Sequence, residues 1–206
     1  MTTMQALLVV DVQNDFCHGE GALARRGMPM DAMPAVAEAN RRLAEVFRRA
    51  GRPVMFTRTE HDRWTDSSIW RMRIKEQGKD VDAIPVCASE WGRSFFGLAP
   101  EASDRVIVKH RYSAFHDTEL DLVLRAKLIT SICVTGVLTN VCVESTVRDG
   151  FMRDYASTVV PEACAAGTTA EHEMALRNIA EYFGNVTALT DMLADLGAAE
   201  PVSGAG

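Results

Sequence analysis

No run of apolar residues in this chain approaches the ~20 that a membrane-spanning helix needs, and no segment is rich enough in lysine and arginine to grip a phosphate backbone. Acidic residues outnumber basic ones, 28 against 22, for a formal net charge of −6. Neither nucleic acid nor a membrane is therefore an expected partner, and a small molecule is. The cysteines, at 17, 87, 133, 142 and 164, include no C-x-x-C pair, and an odd set of five reads as reduced and intracellular rather than disulfide-stapled. Internal repeats are missing too. No charged-then-apolar leader opens the chain, residues 1–5 running straight into a strand, so a cytoplasmic protein is expected.

What is present reads as a soluble α/β chain. Residues 6–10 (Ala-Leu-Leu-Val-Val) are continuously apolar, as a strand covered on both faces requires. Over 31–50 the apolar positions Val36, Ala39, Leu43, Val46, Phe47 and Ala50 step by three and four between charged residues, with Pro34 in the first turn and Gly51 past the end. That is an amphipathic helix. A second strand at 53–57 completes a βαβ unit with the usual right-handed crossover. Further strands are predicted at 105–108, 131–135, 157–160 and near Val186, and helices over 118–127, 143–149, 170–183 and 192–196. The expected fold class is α/β: three layers, with a central, mostly parallel sheet of about six strands and helices on both faces. A chain of 206 residues suits one domain, expected over 1–197, with 198–206 as a flexible tail.

Three of these strands end in reactive side chains. After Val134-Thr135-Gly136 the chain delivers Cys142 to the first turn of the predicted 143–149 helix. There the helix terminus favours a thiolate, and free N–H groups could receive an oxyanion. The alternative is a small packing group, the usual fate of a free cysteine. Asp11 closes the first strand at the edge where open α/β sheets collect ligands, unless it only caps a turn. Lys109 closes the third strand. Carboxylate, ammonium and thiol at one sheet edge supply a base, a cation and a nucleophile. The irregular segment 58–104, with Trp64, Trp70, Arg71 and Arg73, either covers that site or is a solvated insertion with a short helix near 67–76. Cys17 and Cys87 fall in loops where exposure is expected, whereas Cys133 and Cys164 read as packing residues. His18, His110, His116 and His172 are individually uninformative.

Asp11-Val12-Gln13-Asn14-Asp15-Phe16, then Lys109 ahead of Tyr112-Ser113-Ala114-Phe115, then Gly136-Val137-Leu138-Thr139-Asn140-Val141-Cys142-Val143-Glu144-Ser145-Thr146 occur in that order. Together they resemble the isochorismatase-like cysteine hydrolase superfamily over 6–196. Residues 109–115 and 139–150 are most similar to ureidoacrylate amidohydrolases, and 70–74 are similar to biuret hydrolases. The resemblance implies a Rossmann-like fold, a triad of Cys142, Asp11 and Lys109, and assembly as a homodimer or homotetramer. It further implies a cis peptide between Val137 and Leu138, with the N–H groups of Leu138 and Cys142 as an oxyanion hole. Phe16, Trp64, Trp70, Tyr112, Phe115 and Asn140 are candidates for the substrate pocket, although an aromatic is as readily core. Arg71 or Arg73 could bind a substrate carboxylate or carbonyl.

Departures from the superfamily pattern sharpen the expectation. Its metal-dependent nicotinamidases carry an Asp-x-His pair where this chain has Thr59-Glu60-His61. His61 alone falls short of the three protein ligands a zinc or iron site needs, so neither metal nor other cofactor is expected. Isochorismate hydrolases proper usually lack the cysteine, so Cys142 disfavours vinyl-ether hydrolysis. The expected activity is metal-independent hydrolysis of a C–N bond in a small linear amide, a ureido or carbamoyl compound first. It would run through a Cys142 acyl-enzyme, with Asp11 moving the proton and Lys109 stabilising charge. Amides of the nicotinamide or maleamate type are the alternative substrates. A thiol redox protein, for which no resolving cysteine stands out, and a non-catalytic scaffold are the alternative classes.

Overall fold

The computed structural model describes residues 4–76 and 86–198. In chain order its elements are β1 (Gln5–Val10), α1 (Asn14–Cys17), α2 (Ala22–Arg25), α3 (Met33–Arg49), β2 (Val54–Thr59), α4 (Ser68–Glu76), α5 (Glu90–Arg93), β3 (Arg105–Lys109), α6 (Leu120–Ala126), β4 (Ser131–Val137), a π-helical turn (Thr139–Val143), α7 (Glu144–Phe151), β5 (Ala156–Ala165), α8 (Thr169–Tyr182), β6 (Asn185–Val186) and α9 (Leu189–Ala198). The six strands form one parallel sheet in the order β3-β2-β1-β4-β5-β6. The expected three-layer architecture is what forms, with every pairing parallel. Apart from Ala198, which ends α9, the expected tail lies outside the described residues.

The apolar run of β1 is continuous because each of its faces is buried under a different set of helices. Leu7 and Val9 pack with Leu43 and Phe47 of α3 and Met192 and Leu196 of α9. Ala6, Leu8 and Val10 point the other way, into a core with Leu120 and Leu124 of α6, Val147 of α7 and Ile179 of α8. Alternation along a strand thus feeds two cores at once. Asn40 is the polar exception within α3: fully buried, it donates from Nδ2 to the carbonyls of Val36 and Ala163 at 2.8 Å each and accepts from Thr135 Oγ1 at 2.6 Å. With its hydrogen bonds made, the amide ties α3 to β4 and β5 at no desolvation loss.

Three local expectations change. Residues 14–17, within a stretch over 12–21 that reads as polar loop, make a single helical turn, and 22–25 make another. β5 does not stop at Val160 but continues through Pro161 to Ala165, and the register against β4 slips between Val134 and Gly136. A proline can sit there because it lacks only a ladder N–H that the slip leaves unneeded. Cys17 and Cys87 are buried, at 1% and 0% exposure, because the turns that carry them fold inward. Burial raises both thiols, that of Cys17 to about 12.

The strand order reverses between β1 and β4, and open α/β sheets bind ligands at the carboxyl ends of such a pair. Gly136 pairs with Val10 at that place, and it has φ +109°. A Cβ there would stand 2.0 Å from the Val10 carbonyl oxygen, one residue before Asp11. Gly136→Ala should therefore cost about 3 kcal/mol or more of stability, from backbone strain and a main-chain clash together. Gly19→Ala, with nothing within 4 Å of its added methyl, should stay within about 0.5 kcal/mol. Urea denaturation of the two variants checks this, and equal midpoints would contradict it.

Candidate active site

Asp11 follows β1 with φ 55°, a left-handed conformation that aspartate tolerates better than most residues. Its carboxylate is fully buried. Thr57 of β2 receives it: the Thr57 hydroxyl donates to Asp11 Oδ1 at 2.6 Å and accepts from the Asp11 N–H at 3.1 Å. Lys109 comes from further off. Its strand is separated from β1 by β2, a span of ~10 Å between strand axes, and the four-carbon stem of lysine covers most of it. Lys109 Nζ lies 2.7 Å from Asp11 Oδ2 and donates to the Arg111 carbonyl at 2.9 Å. The contact with Oδ2 is an ion pair between two buried groups. Burial alone would depress the Lys109 ammonium, but the charges of Asp11 and Cys142 outweigh it, and the net direction is upward. Lys109 is a cation at neutral pH.

Cys142 reaches the same point from β4, through a π-helical turn rather than the first turn of a regular helix. Such turns are rare and recur at functional sites. The Val137–Leu138 peptide before it is cis. Cys142 is 7% exposed, and the charges of both Asp11 and Lys109 act on its thiol. Here the electrostatic expectation is corrected. Burial dominates and pushes the thiol up to about 12; Lys109 lowers it, while the charge of Asp11 and the hydrogen bond to it raise it. The resting group is a thiol beside a carboxylate, not a free-standing thiolate.

These residues open onto a cavity of about 270 Å³ whose lining includes Cys142, Lys109, Leu138, Val141, Phe16 and Tyr112. Trp70 joins it, stacked on His61 at 5.3 Å and tilted against Tyr112 at 4.8 Å. Other sequence candidates go elsewhere. Trp64 is 82% exposed under the Arg63 guanidinium, and Phe115 is core, stacked on Tyr155. Arg71 and Arg73 are exposed on α4, and neither lines the cavity, although the charge of Arg73 reaches Tyr112. Asn140 is outside the lining as well; its Oδ1 is buried without a hydrogen-bond partner. A larger groove of about 560 Å³, between α3 and α9, is lined by none of the strand-end residues.

Several participants have no mark in the sequence pattern. Thr57 reads as an ordinary strand residue, and only the pairing of β2 with β1 shows what its hydroxyl faces. His61 and Asp66 both line the cavity and meet at 2.6 Å, Nδ1 to Oδ1. They occupy each other, and among the described residues no group of three His, Cys, Asp or Glu side chains could hold a metal ion. The nicotinamidase type of metal site does not fit the ligands found here. Thr139, fully buried at the start of the π turn, meets His172 Nδ1 of α8 at 2.8 Å, which braces that turn from behind. An apolar–polar pattern cannot reveal a contact between side chains 33 residues apart.

A parallel sheet whose order reverses between an aspartate and a cysteine, with a lysine reaching in from the edge, defines a Rossmann-like α/β enzyme with its chemistry at the switch point. The chain belongs to the isochorismatase family: residues 5–191 match the isochorismatase domain. It is 36% identical over 196 residues to a ureidoacrylate amidohydrolase of Methylorubrum extorquens, covering 88% of this chain and 78% of the relative. A second such amidohydrolase, from Methylobacterium radiotolerans, is 34% identical over 195 residues, 88% of this chain and 75% of its own length. Among solved structures, a cysteine hydrolase from Pseudomonas syringae pv. phaseolicola superposes with a TM-score of 0.82 at 31% identity, over 95% of this chain and 93% of its own. N-carbamoylsarcosine amidase from Thermoplasma acidophilum superposes with a TM-score of 0.73 at 28% identity, over 90% and 96%.

The charge balance around the thiol can be tested directly. Lys109→Met withdraws the cation that lowers the Cys142 pKa, so the thiol should titrate higher still. Alkylation of Cys142 by iodoacetamide, followed by peptide mass spectrometry from pH 7 to pH 11, should be slower at every pH by about tenfold per pKa unit gained. An unchanged profile would remove the lysine from the neighbourhood of the nucleophile.

Proposed function

We propose that this protein is a metal-independent cysteine amidohydrolase acting on a small ureido or N-carbamoyl compound. The observation that carries the reading is the convergence of the buried Asp11–Lys109 pair, at 2.7 Å, with the Cys142 thiol at one edge of the sheet. In the first step the Cys142 proton passes to Asp11 as sulfur attacks the substrate carbonyl. The tetrahedral intermediate collapses when the leaving amine takes that proton back, and a thioester remains on Cys142. Water then gives a proton to Asp11 and attacks the thioester carbonyl; the acid departs, and the proton returns to sulfur. Lys109 stays charged throughout and pairs with the Asp11 carboxylate. The backbone N–H groups of Leu138 and Cys142 serve as the oxyanion hole in this scheme.

The size and lining of the cavity support a small substrate. At about 270 Å³, it falls below the ~300–1,000 Å³ of sites that take drug-sized ligands. Thr59 lines it with a buried hydroxyl that has no hydrogen-bond partner among the described residues, an available contact for a ureido group. The relatives named for ureidoacrylate and N-carbamoylsarcosine both act on a carbonyl flanked by nitrogen, and this supports the same bond type here.

The test is ammonia release from the purified protein against ureidoacrylate, N-carbamoyl amino acids, biuret, maleamate and nicotinamide. Turnover should be greatest on a ureido or N-carbamoyl compound; turnover of nicotinamide alone would overturn the reading. Cys142→Ser should keep the circular dichroism spectrum and lose at least ~10³-fold in kcat, since an alkoxide is far harder to form than a thiolate. Asp11→Asn should fail at the first step and leave no acyl adduct visible by intact-mass spectrometry.

A further inference from the structure

The cavity is lined by three cations, and two of them are committed. Lys109 is paired with Asp11. Arg111 donates to the carbonyls of His110 and Thr65, at 2.6 and 3.0 Å, and lies over the Trp70 ring. Arg26 has no hydrogen bond from its guanidinium and no ion pair among the described residues, yet it lines the same cavity as Cys142. The acidic groups nearby are spent. Asp66 pairs with His61, and the buried Asp15 accepts from the N–H groups of Ala22 and Cys87 and sits 3.9 Å from Arg25. Among the described residues the uncommitted charge of the cavity is therefore positive, and it belongs to Arg26.

The chain holds the backbone at Arg26 in place. Arg26 caps α2, its N–H bonded to the carbonyls of Leu23 and Ala24. Asp15 fastens the start of α2 to the Cys87 turn by its two oxygens. Gly92 lets this happen, since a Cβ there would come within 2.2 Å of Asp15 Oδ2. Partial burial lowers the pKa of Arg26, and Asp15 opposes that only at a distance. A group desolvated without a partner gains from meeting an anion.

We propose that Arg26 is the anchor for a substrate carboxylate, so that the natural substrate is a ureido or N-carbamoyl acid whose anionic end meets this guanidinium while its carbonyl lies at Cys142. This rests on the amidase reading above and narrows it from ureides in general to anionic ones. Biuret and other uncharged ureides fill the same cavity without engaging Arg26. The planar fork of arginine binds a carboxylate through two parallel N–H donors, which lysine cannot copy. Because Arg26 is exposed on its outer side, the effect is moderate rather than absolute.

The experiment compares N-carbamoyl-β-alanine with its neutral amide as substrates of the wild type, Arg26→Gln and Arg26→Lys. The ratio of kcat/KM for acid over amide should fall at least tenfold in Arg26→Gln, through KM rather than kcat, and recover in part in Arg26→Lys. A ratio unchanged in Arg26→Gln overturns the proposal. If the wild type turns over neither compound, the ureide reading fails, and binding decides the question instead. In that case the acid should slow iodoacetamide alkylation of Cys142 more than the amide does in the wild type, and this difference should vanish in Arg26→Gln. Equal protection by acid and amide in the wild type, or a difference that survives in the variant, overturns the assignment of Arg26.

Discussion

The buried ion pair of Asp11 and Lys109 is the constraint on which the site depends. Both side chains are withdrawn from water, at 0% and 1% exposure, and removing either charge from solvent costs several kcal/mol unless it is met by its partner and by hydrogen bonds. The fold meets both conditions. Thr57 gives Asp11 Oδ1 a hydroxyl, and the Arg111 carbonyl accepts one N–H of Lys109. Neither charge can be left behind without the other: a lone buried carboxylate or ammonium would neutralise, and the site would lose its base or its cation. The pair also requires the strand order. Asp11 and Lys109 meet only because β3, β2 and β1 lie side by side with their carboxyl ends in register, Thr59 opposite Lys109 and Val9 opposite Phe56.

In the proposed reaction that pair accounts for how a cysteine with a raised pKa acts as the nucleophile. A thiol pushed up to about 12 is almost wholly protonated at pH 7, which in an open site would make it inert. In the proposed scheme its proton passes to Asp11 as sulfur attacks. Desolvation then works in favour of the reaction, because the same apolar walls strengthen the fields of Lys109 and of the turn N–H groups on the developing oxyanion. The resting protein does not display a reactive thiolate. It assembles the conditions for making one when a carbonyl arrives.

The sheet and its chemistry were legible in the sequence for different reasons. Apolar runs of 6–10 and 131–135, separated by amphipathic stretches, leave little choice but parallel strands under helices, and the three reactive strand ends follow from where those runs stop. The cavity walls were not legible, because they are made of contacts distant in sequence. Trp64 and Trp70 look alike in a list of aromatics, but the turn before α4 leaves one outward at 82% exposure, while α4 carries the other onto His61. Arg71 and Arg73 fall on exposed positions of α4, while Arg26, in a segment with no distinguishing pattern, comes to the cavity because Asp15 binds α2 to the Cys87 turn. Cys142 was found by its place after β4, yet its protonation was misread, since the distance of a thiol from water is a property of the whole core and not of its own turn. The strand expected over 157–160 likewise runs on past Pro161, because the slip in register lets it.

The motif Asp11-Val12-Gln13-Asn14-Asp15-Phe16 shows how floor and walls are joined while remaining separable. Asp11 is floor. Gln13, fully buried, donates to the Thr59 and Arg93 carbonyls and accepts from the Thr59 N–H, so it locks the end of β2 to the irregular segment beyond it. Asn14 donates to the Trp91 carbonyl, Asp15 holds α2 and the Cys87 turn, and Phe16 lines the cavity. One turn of chain after β1 therefore fixes the Asp11 carboxylate and, through polar clamps on backbone atoms, the loops that line the cavity. Because the clamps bind main-chain groups of those loops, the loop side chains can change without loosening the clamps. Leu23, Arg26, Val86 and Tyr112 are open to replacement in a way that Asp11, Lys109 and Cys142 are not. The floor dictates which bond is broken and the walls dictate which molecule carries it, so likeness at the floor speaks to the reaction and only the wall residues of this chain speak to its substrate.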